Sequence, residues 1–320
     1  MAEWLYEAGI GEARAALVED GAIAIARIER DEDRLRPGAV VAGRLIEITI
    51  KGREGVVVLE SGDEALLAPL PPQATEGGRL RIEIVRAALP ERGRTKRARA
   101  VPAADDAEES AGPDLLARIT ASGIPVRRLQ AHEPDALEAA GWSEVLDEAE
   151  TGEIAFRGGA LRVSLTPAMT LIDVDGPPPL ETLAVNAATA AARAIDRHGI
   201  GGSIGIDFPT IEGRAARQAV AAAIDAALPQ PFERTAMNGF GFLQIVRRRR
   251  RASLPELIRE DPVAAAVRAR LRRIERTPPP GERTHALPVA ELALIRARPA
   301  WTAELARRTG VDTIFIAEER

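Results

Sequence analysis

The pattern of hydrophobic and polar positions divides the chain into a β-rich N-terminal third and a mixed α/β remainder. Short apolar stretches over residues 3–30 are separated by turn signals, of which Asp20-Gly21 is typical of a β-hairpin. Three more strand patterns follow Pro37-Gly38, and their close spacing predicts a small antiparallel barrel or sandwich. The pattern as a whole predicts an α+β fold.

Residues 102–113 predict a linker, because Pro, Ala and acidic residues dominate there and no apolar period runs through them. Residues 114–152 then contain two helical patterns with one short strand pattern between them. We therefore interpret residues 1–36 as strands that pack on the core and residues 37–101 as a separate barrel unit.

Strands and two Ala-rich helices alternate in the region 153–252. Strand patterns flank a Gly-Gly turn and continue in MTLIDV, and the strands SIGID and FLQIV come later. The first Ala-rich helix is predicted from Leu180 to Arg197. For the region 253–320 we predict one helix from Pro255 to about residue 274, a loop, a helix near residues 300–308 and a final strand TIFIA.

Acidic residues end two of these strand patterns. Asp173 and Asp175 follow the apolar run MTLI, and Asp207 follows SIGI. Strand interiors rarely carry aspartate, because it is β-averse and costly to bury without a partner. Carboxylates at the ends of neighbouring strands suit Mg²⁺, and Asp173 and Asp175 share one face of an extended chain. The alternative is that Asp173 and Asp207 cap turns or the following helices, and spacing leaves both readings open.

Two other motifs match known patterns less well. DVD fits the Asp-x-Asp of metal-dependent glycosyltransferases, but that pattern is common by chance and no nucleotide-binding α/β unit precedes it. GGSIG formally matches G-x-S-x-G, yet a nucleophile elbow needs a strand before the serine and a helix after it, and here the order is reversed. The three histidines are scattered, so no catalytic triad is predicted.

Five consecutive arginines occupy positions 247–251, and a second basic run covers residues 92–99. A solvated helix end would explain such a run, since cations suit the C-terminal dipole of a helix. Phosphate contact would explain it equally, because the guanidinium fork matches phosphate oxygens and a dense run of cations repels itself. Both interpretations stay open.

Composition narrows the classes of protein without choosing among them. The 320 residues carry a formal net charge of −5, which does not by itself indicate a nucleic-acid partner. The sequence has no cysteine, which excludes disulfides, thiol catalysis and Cys-based zinc sites and fits a reducing compartment. Without a signal-peptide pattern or an apolar run of about 18 residues, we expect a cytoplasmic protein with no membrane partner.

Three segments together resemble the catalytic core of the ribonuclease E/G family. They are GGALRVSLTPAMTLIDVDG, VNAATAAARAIDRHGIGGSIGIDF and NGFGFLQIVRRRRR, in the family's order and spacing. Residues 38–100 resemble the family's inserted S1 domain, an OB-fold, and the tail resembles the αβ element after the family's core. The resemblance implies a nuclease core with a truncated RNase H-like portion at 114–152 and a DNase I-like catalytic portion at 153–252.

The resemblance also implies an activity: a Mg²⁺-dependent endoribonuclease that hydrolyses single-stranded RNA in RNA processing or decay and leaves a 5′-phosphate, with Mn²⁺ as a substitute ion and no zinc. The family's two metal-binding aspartates fall on Asp173 and Asp207. Asp175 stands where the family has asparagine and adds a third candidate ligand. Structural positions near the family's site fall on Asn186, Gly201 and Gly202. The candidate contacts to the RNA backbone are Arg247, Arg249, Arg92, Arg94, Lys96 and Arg97.

Several departures from the family motivate a second hypothesis. Residues 102–150 are too few for the family's 5′-phosphate sensor, and Gly239 and Gln244 replace an arginine and a glutamate. The barrel strands carry aliphatic residues where the family has stacking aromatics, and no cysteine is present for the zinc-link of the family's dimers. A homodimer without that link stays open. The alternative function is therefore an RNA-binding relative with little or no catalysis, and the two retained aspartates argue against it.

Overall fold

The chain begins with an antiparallel meander. The computed structural model describes residues 1–33, 35–91, 94–277 and 281–318. Both faces of the meander are covered, because Leu5 and Ala16 belong to one apolar cluster while Trp4 and Leu17 belong to another. The strands are β1 (Glu3–Ala8), β2 (Glu12–Glu19) and β3 (Ala22–Arg30).

A closed five-stranded barrel follows, as the short strand patterns predict. The strands of this region are β4 (Val40–Ile50), β5 (Glu54–Leu59), β6 (Glu64–Leu67), β7 (Arg79–Arg86), β8 (Leu89–Glu91), β9 (Arg94–Lys96) and β10 (Ala98–Pro102). The barrel closes in the order β10-β6-β5-β4-β7, with β6 and β10 parallel and the other neighbours antiparallel. β8 and β9 form a separate hairpin. This arrangement is consistent with an OB-like unit.

Beyond the barrel, the chain returns to the first sheet. The returning elements are α1 (Leu115–Thr120), β11 (Val126–Arg128), α2 (Ala136–Ala139) and α3 (Trp142–Thr151). β11 adds to the edge of the meander by parallel pairing with β1. Residues before and after the barrel therefore complete one four-stranded sheet, and Trp142 of α3 is fully buried in its core.

The next region forms a six-stranded sheet with helices on one face. Its elements are β12 (Glu153–Phe156), β13 (Gly159–Leu165), β14 (Thr170–Asp175), α4 (Leu180–Arg197), β15 (Gly202–Asp207), α5 (Arg214–Ala227), β16 (Phe232–Arg234) and β17 (Phe242–Arg247). The strand order is β12-β13-β14-β15-β17-β16, and β14 and β15 are its parallel pair. The predicted bounds of α4 are confirmed.

Strict alternation decides which face of this sheet is buried. Ile172 and Val174 of β14 and Ile204 and Ile206 of β15 form one core with α4 and α5. Side chains between them in sequence point to the opposite face, because successive residues of a strand alternate. That second face carries Arg162, the aspartates and other exposed groups.

The C-terminal region differs from the prediction. The predicted single helix from Pro255 is wrong: Asp261 and Pro262 divide it into two helices, because proline lacks the N–H that would continue the first helix. The Asp261 carboxylate instead accepts from the N–H of Ala264 at 2.9 Å and begins the second helix. The elements are α6 (Leu254–Glu260), α7 (Pro262–Glu275), β18 (Thr284–Leu287), α8 (Val289–Ala297), α9 (Pro299–Thr309) and β19 (Ile314–Ala317).

Two of these C-terminal elements were not predicted. β18 occupies part of the predicted loop and pairs in parallel with β19, and α8 separates β18 from α9. In the described part of the chain, no helix combines the length and the apolarity needed to cross a bilayer.

We expect Ile172→Ala to lower the free energy of unfolding by about 2–5 kcal/mol, because its side chain is fully buried in the core under the helices. Leu171→Ala is the matched control, since the adjacent side chain lies on the opposite face and is only half-buried. Denaturant unfolding followed by circular dichroism measures both. Equal losses for the two variants would contradict the assignment of the buried face.

Candidate functional site

The two predicted aspartates lie side by side on the exposed face of the six-stranded sheet. Asp173 of β14 and Asp207 of β15 are register partners in the parallel pair. Their Cα atoms are therefore separated by roughly 4.8 Å, the spacing of paired strands, and their side chains share a face. Both residues are exposed. The sequence prediction that two neighbouring strands bring these carboxylates together is confirmed by this register.

The capping alternative fails for the helices that follow. Pro179 is the N-cap residue of α4 and Gly213 is that of α5. Asp173 instead occupies a strand between the buried residues Ile172 and Val174. Aspartate is tolerated here because its carboxylate faces water, so no burial has to be compensated.

A guanidinium lies next to the carboxylate pair. Arg162 of β13 is the register partner of Asp173 on the strand beyond it. Arg162 Nε donates to Glu153 Oε1 at 2.9 Å, and Arg162 Nη2 lies 3.7 Å from Asp175 Oδ2. The hydrogen bond with Glu153 and the nearby aspartates raise the pKa of Arg162, so this exposed side chain is a permanent cation. Glu153, Arg162 and Asp173 therefore carry alternating negative and positive charges on three neighbouring strands of the sheet.

Asp175 shares the face of Asp173 but is directed to Arg162 in the structure. Within the described ranges, no three His, Asp or Glu side chains converge on a common point. The pair Asp173 and Asp207 nevertheless fits Mg²⁺, which is often held by one or two carboxylates plus waters and substrate phosphates, at about 2.1 Å from each oxygen. The same donor set accepts Mn²⁺.

An exposed aromatic side chain lies on the turn that leads into the partner strand of Asp207. Phe242 is the register partner of Asp207, and the backbone turns just before it. The Asn238 side-chain oxygen accepts from the N–H of Phe240 at 2.9 Å and from that of Phe242 at 3.0 Å, which fixes the turn. Phe240 is 86% exposed at the tip of this turn. An aromatic ring exposed to water on this turn is a suitable surface for stacking a nucleobase.

Gly239 lies in this turn and Gln244 in the strand after it, the two positions where the sequence differs from the motifs it resembles. Gly239 is open, because nothing lies within 4 Å of where its Cβ would be. Gln244 is half-buried and is the register partner of Gly205, on the same face as Asp207. Neither side chain carries a charge.

The arginine segment lies at the other end of the sheet. Arg247 pairs with Gly202 while Phe242 pairs with Asp207, so five residues separate the two ends, roughly 16 Å along the strand. Arg247 Nη2 contacts Asp196 Oδ1 of α4 at 2.6 Å, and Arg249 forms an ion pair with Glu256 of α6. These two guanidiniums are therefore half-buried in internal ion pairs.

The remaining predicted positions are dispersed. Asn186 is exposed on α4, which packs behind the sheet, on the face away from the aspartates. Gly202 begins β15 beside the arginine segment and Gly201 precedes it, where a Cβ on Gly201 would lie 3.1 Å from the Arg249 Cα. Arg97 of the second basic run pairs with Glu64 on the barrel, and Lys96 is exposed in β9. Arg94 begins β9, whereas Arg92 lies outside the described residues.

Arg162 and Phe240 were missed in the sequence analysis. The sequence does contain a pattern that predicts the position of Arg162. A tight turn after Leu165 pairs Leu165 with Thr170, and this register places Arg162 opposite Asp173. Phe240 had no such signal, because its exposure depends on the fold of the turn around it.

No protein-family model matches this chain, and no curated protein matches its sequence. The geometry of the site is therefore the main basis for a functional proposal.

We expect Arg247→Gln and Asp196→Asn to be coupled in stability by about 1 kcal/mol in a double-mutant cycle, because the two groups form a direct ion pair largely shielded from water. Thermal and denaturant unfolding of the two single variants and the double variant measure this coupling. Arg248→Gln is the control, because the side chain of Arg248, next to Arg247 in sequence, is exposed. We expect its free energy of unfolding to change by no more than about 0.5 kcal/mol. Additive effects in the cycle would show that the ion pair does not form.

Proposed function

We propose that this chain is a Mg²⁺-dependent endoribonuclease that hydrolyses phosphodiester bonds of single-stranded RNA, leaving a 5′-phosphate and a 3′-hydroxyl. The observation that carries the proposal is the register pairing of Asp173 with Asp207 on the exposed face of the sheet. The resemblance of the core motifs to the ribonuclease E/G family supports the same activity. The closed barrel, consistent with an OB-like unit, adds a second surface of a kind that binds single-stranded RNA.

Each side chain at the site has a role in this proposal. Asp173 and Asp207 would hold the ion. When bound, Mg²⁺ would supply an activated water and offset negative charge on the phosphate. Arg162 lies beside Asp173 and stabilises charge that develops on the phosphate oxygens. Phe240 stacks on a base next to the bond that is cut, and so positions the strand.

Contacts to the RNA backbone away from the aspartates belong to the same proposal. Arg247 and Arg249 are candidates, and their ion pairs with Asp196 and Glu256 fix the guanidiniums without using every N–H donor. In the second basic run, the candidates are Arg94 and Lys96 of the β8–β9 hairpin and Arg97 directly after it. Such contacts make affinity fall steeply with salt, because bound cations on RNA are released.

A second candidate function is RNA binding without catalysis. It is favoured by Asp175, which adds a third negative charge to the face that would receive the phosphate and contacts Arg162. In this alternative, Asp175 competes with the substrate for the guanidinium. The two candidates differ in one outcome, which is whether bound RNA is cut in the presence of Mg²⁺.

We expect Asp173→Asn/Asp207→Asn to reduce Mg²⁺-dependent cleavage of a labelled single-stranded RNA by at least about a hundredfold, because metal-ion stabilisation contributes several kcal/mol. Asp20→Asn is the matched control, since this exposed aspartate lies in the first hairpin and has a positive φ that asparagine also tolerates. Gel analysis of the products measures the rate. RNA that binds to the parent protein and stays intact would favour the second candidate function.

We expect Phe240→Ala to weaken binding of single-stranded RNA by about 1–3 kcal/mol, the usual loss of one stacked base, with little change in stability because the ring is 86% exposed. Phe240→Trp is expected to retain affinity and Phe240→Leu to lose it, which separates stacking from simple apolar contact. Fluorescence anisotropy of labelled RNA measures all three. Unchanged affinity in Phe240→Ala would exclude the stacking role.

A further inference from the structure

A cleft of about 520 Å³ lies at the junction of the N-terminal sheet, the barrel and the arginine segment. Its walls come from β3 and the residues after it, from α1, from residues 87–88 beyond β7 and from residues 247–252. The N–H of Ala87 donates to the Arg250 carbonyl at 2.9 Å and so joins the barrel to the arginine segment. Three parts of the fold therefore enclose this space.

The lining of this cleft is strongly cationic. Among the described residues that line it, nine are arginines and only Glu29 and Asp33 are carboxylates. The arginines are Arg27, Arg30, Arg36, Arg118 and Arg247 to Arg251. Such a concentration of one charge is unfavourable in a cleft partly shielded from water, unless an anion occupies it.

Internal ion pairs neutralise only part of this charge. Glu29 is shared, since it accepts from Arg36 at 3.0 Å and also contacts Arg118. Asp33 pairs with Arg30 at 3.1 Å. Arg247 and Arg249 have the partners described above. The positive charge of the cleft therefore exceeds what its own carboxylates can compensate.

Arg251 contributes to the excess positive charge of the cleft. Within the described parts of the chain, Arg248, Arg250 and Arg251 have no ion pair or side-chain hydrogen bond. Arg251 is half-buried, and burial together with the neighbouring Arg118 guanidinium lowers its pKa to about 10. A half-buried guanidinium without an ion pair, near other arginines and the already shared Glu29, keeps its N–H donors available to an acceptor in the cleft.

We propose that this cleft binds a ligand with two or more closely spaced phosphate groups, held by Arg251 with Arg248 and Arg250. Guanidinium forks match phosphate oxygens, and several unpaired cations in one cleft suit more than one phosphate charge. The apolar part of the lining, which includes Ile28, Leu115 and Leu257, leaves room for a base or a similar flat group.

Two sources can supply this chemistry: a free nucleotide polyphosphate, or successive phosphates of an RNA strand. The cleft is separate from the aspartate pair, because the arginine segment begins roughly 16 Å away along β17 and β15. The inference therefore does not rest on the proposed nuclease activity, and it stands even if no RNA is cut.

Isothermal titration calorimetry with inorganic pyrophosphate, in buffer with EDTA and without divalent cations, tests the proposal. We expect binding that weakens with salt and a loss of about tenfold or more in Arg251→Gln, since a hydrogen bond to a charged group contributes about 1.5–3 kcal/mol. Arg251→Lys is expected to be intermediate because it keeps the charge and loses the fork. Arg193→Gln, at an exposed arginine of α4 outside the cleft, is the matched control and should bind as the parent does.

Two further probes distinguish the sources of phosphate. ATP binding that Arg251→Gln weakens, with no competition from an eight-nucleotide RNA bearing a 5′-hydroxyl, supports a free polyphosphate ligand. Competition between that RNA and pyrophosphate, lost in Arg251→Gln, supports RNA as the ligand. Equal affinity of the parent and Arg251→Gln for every probe, or no binding by any probe, would overturn the proposal.

The nuclease proposal fails or succeeds separately from this one. Asp173→Asn/Asp207→Asn is expected to keep full pyrophosphate binding, because the cleft needs neither carboxylate. Thermal unfolding checks that Arg251→Gln is folded, and we expect no loss of stability from removing an unpaired, half-buried charge. A variant that melts as the parent does and still fails to bind pyrophosphate therefore reports on the cleft alone.

Discussion

The parallel register of β14 and β15 is the constraint on which the candidate site depends. Side chains of a strand alternate between faces, so a slip of one residue would turn Asp207 into the core and separate it from Asp173. The buried residues Ile204 and Ile206 of the same strand prevent such a slip, because they would be exposed by it. The apolar packing that stabilises the sheet against α4 and α5 is thus also what places two carboxylates next to each other in water.

The elements that could be predicted are those with a local signal. The bounds of α4 follow from its Ala-rich period and the Gly199 stop, and the pairing of the two aspartates follows from two strands joined by one helix. Elements without such a signal were missed: α8 and β18 depend on contacts with the rest of the C-terminal cluster. Pro262 indicates that the helix ends at Asp261. The apolar period continues on both sides of Pro262, however, and so favoured one continuous helix.

The partners of charged groups were the least predictable part of the site. The run of five arginines permits a solvated or a phosphate-binding interpretation, and the structure shows a mixture of environments instead. Arg247 reaches Asp196, which is 51 residues away in sequence, whereas Arg251 has cations around it. The net charge of −5 conceals this separation of an acidic sheet face from a basic cleft. Only the three-dimensional arrangement shows that the two surfaces lie at opposite ends of the same strands.

The two connections to the barrel touch each other. A Cβ on Gly38, where the chain leaves the first sheet, would lie 3.1 Å from the Pro113 ring, and one on Gly112 would lie 2.7 Å from the Ala39 nitrogen. The chain therefore enters and leaves the barrel at neighbouring points, and the Ala87–Arg250 hydrogen bond adds a separate contact between the barrel region and the arginine segment. The pairing of β1 with β11 across this junction uses no barrel residue, so the first sheet is completed independently of the length of chain inserted between them.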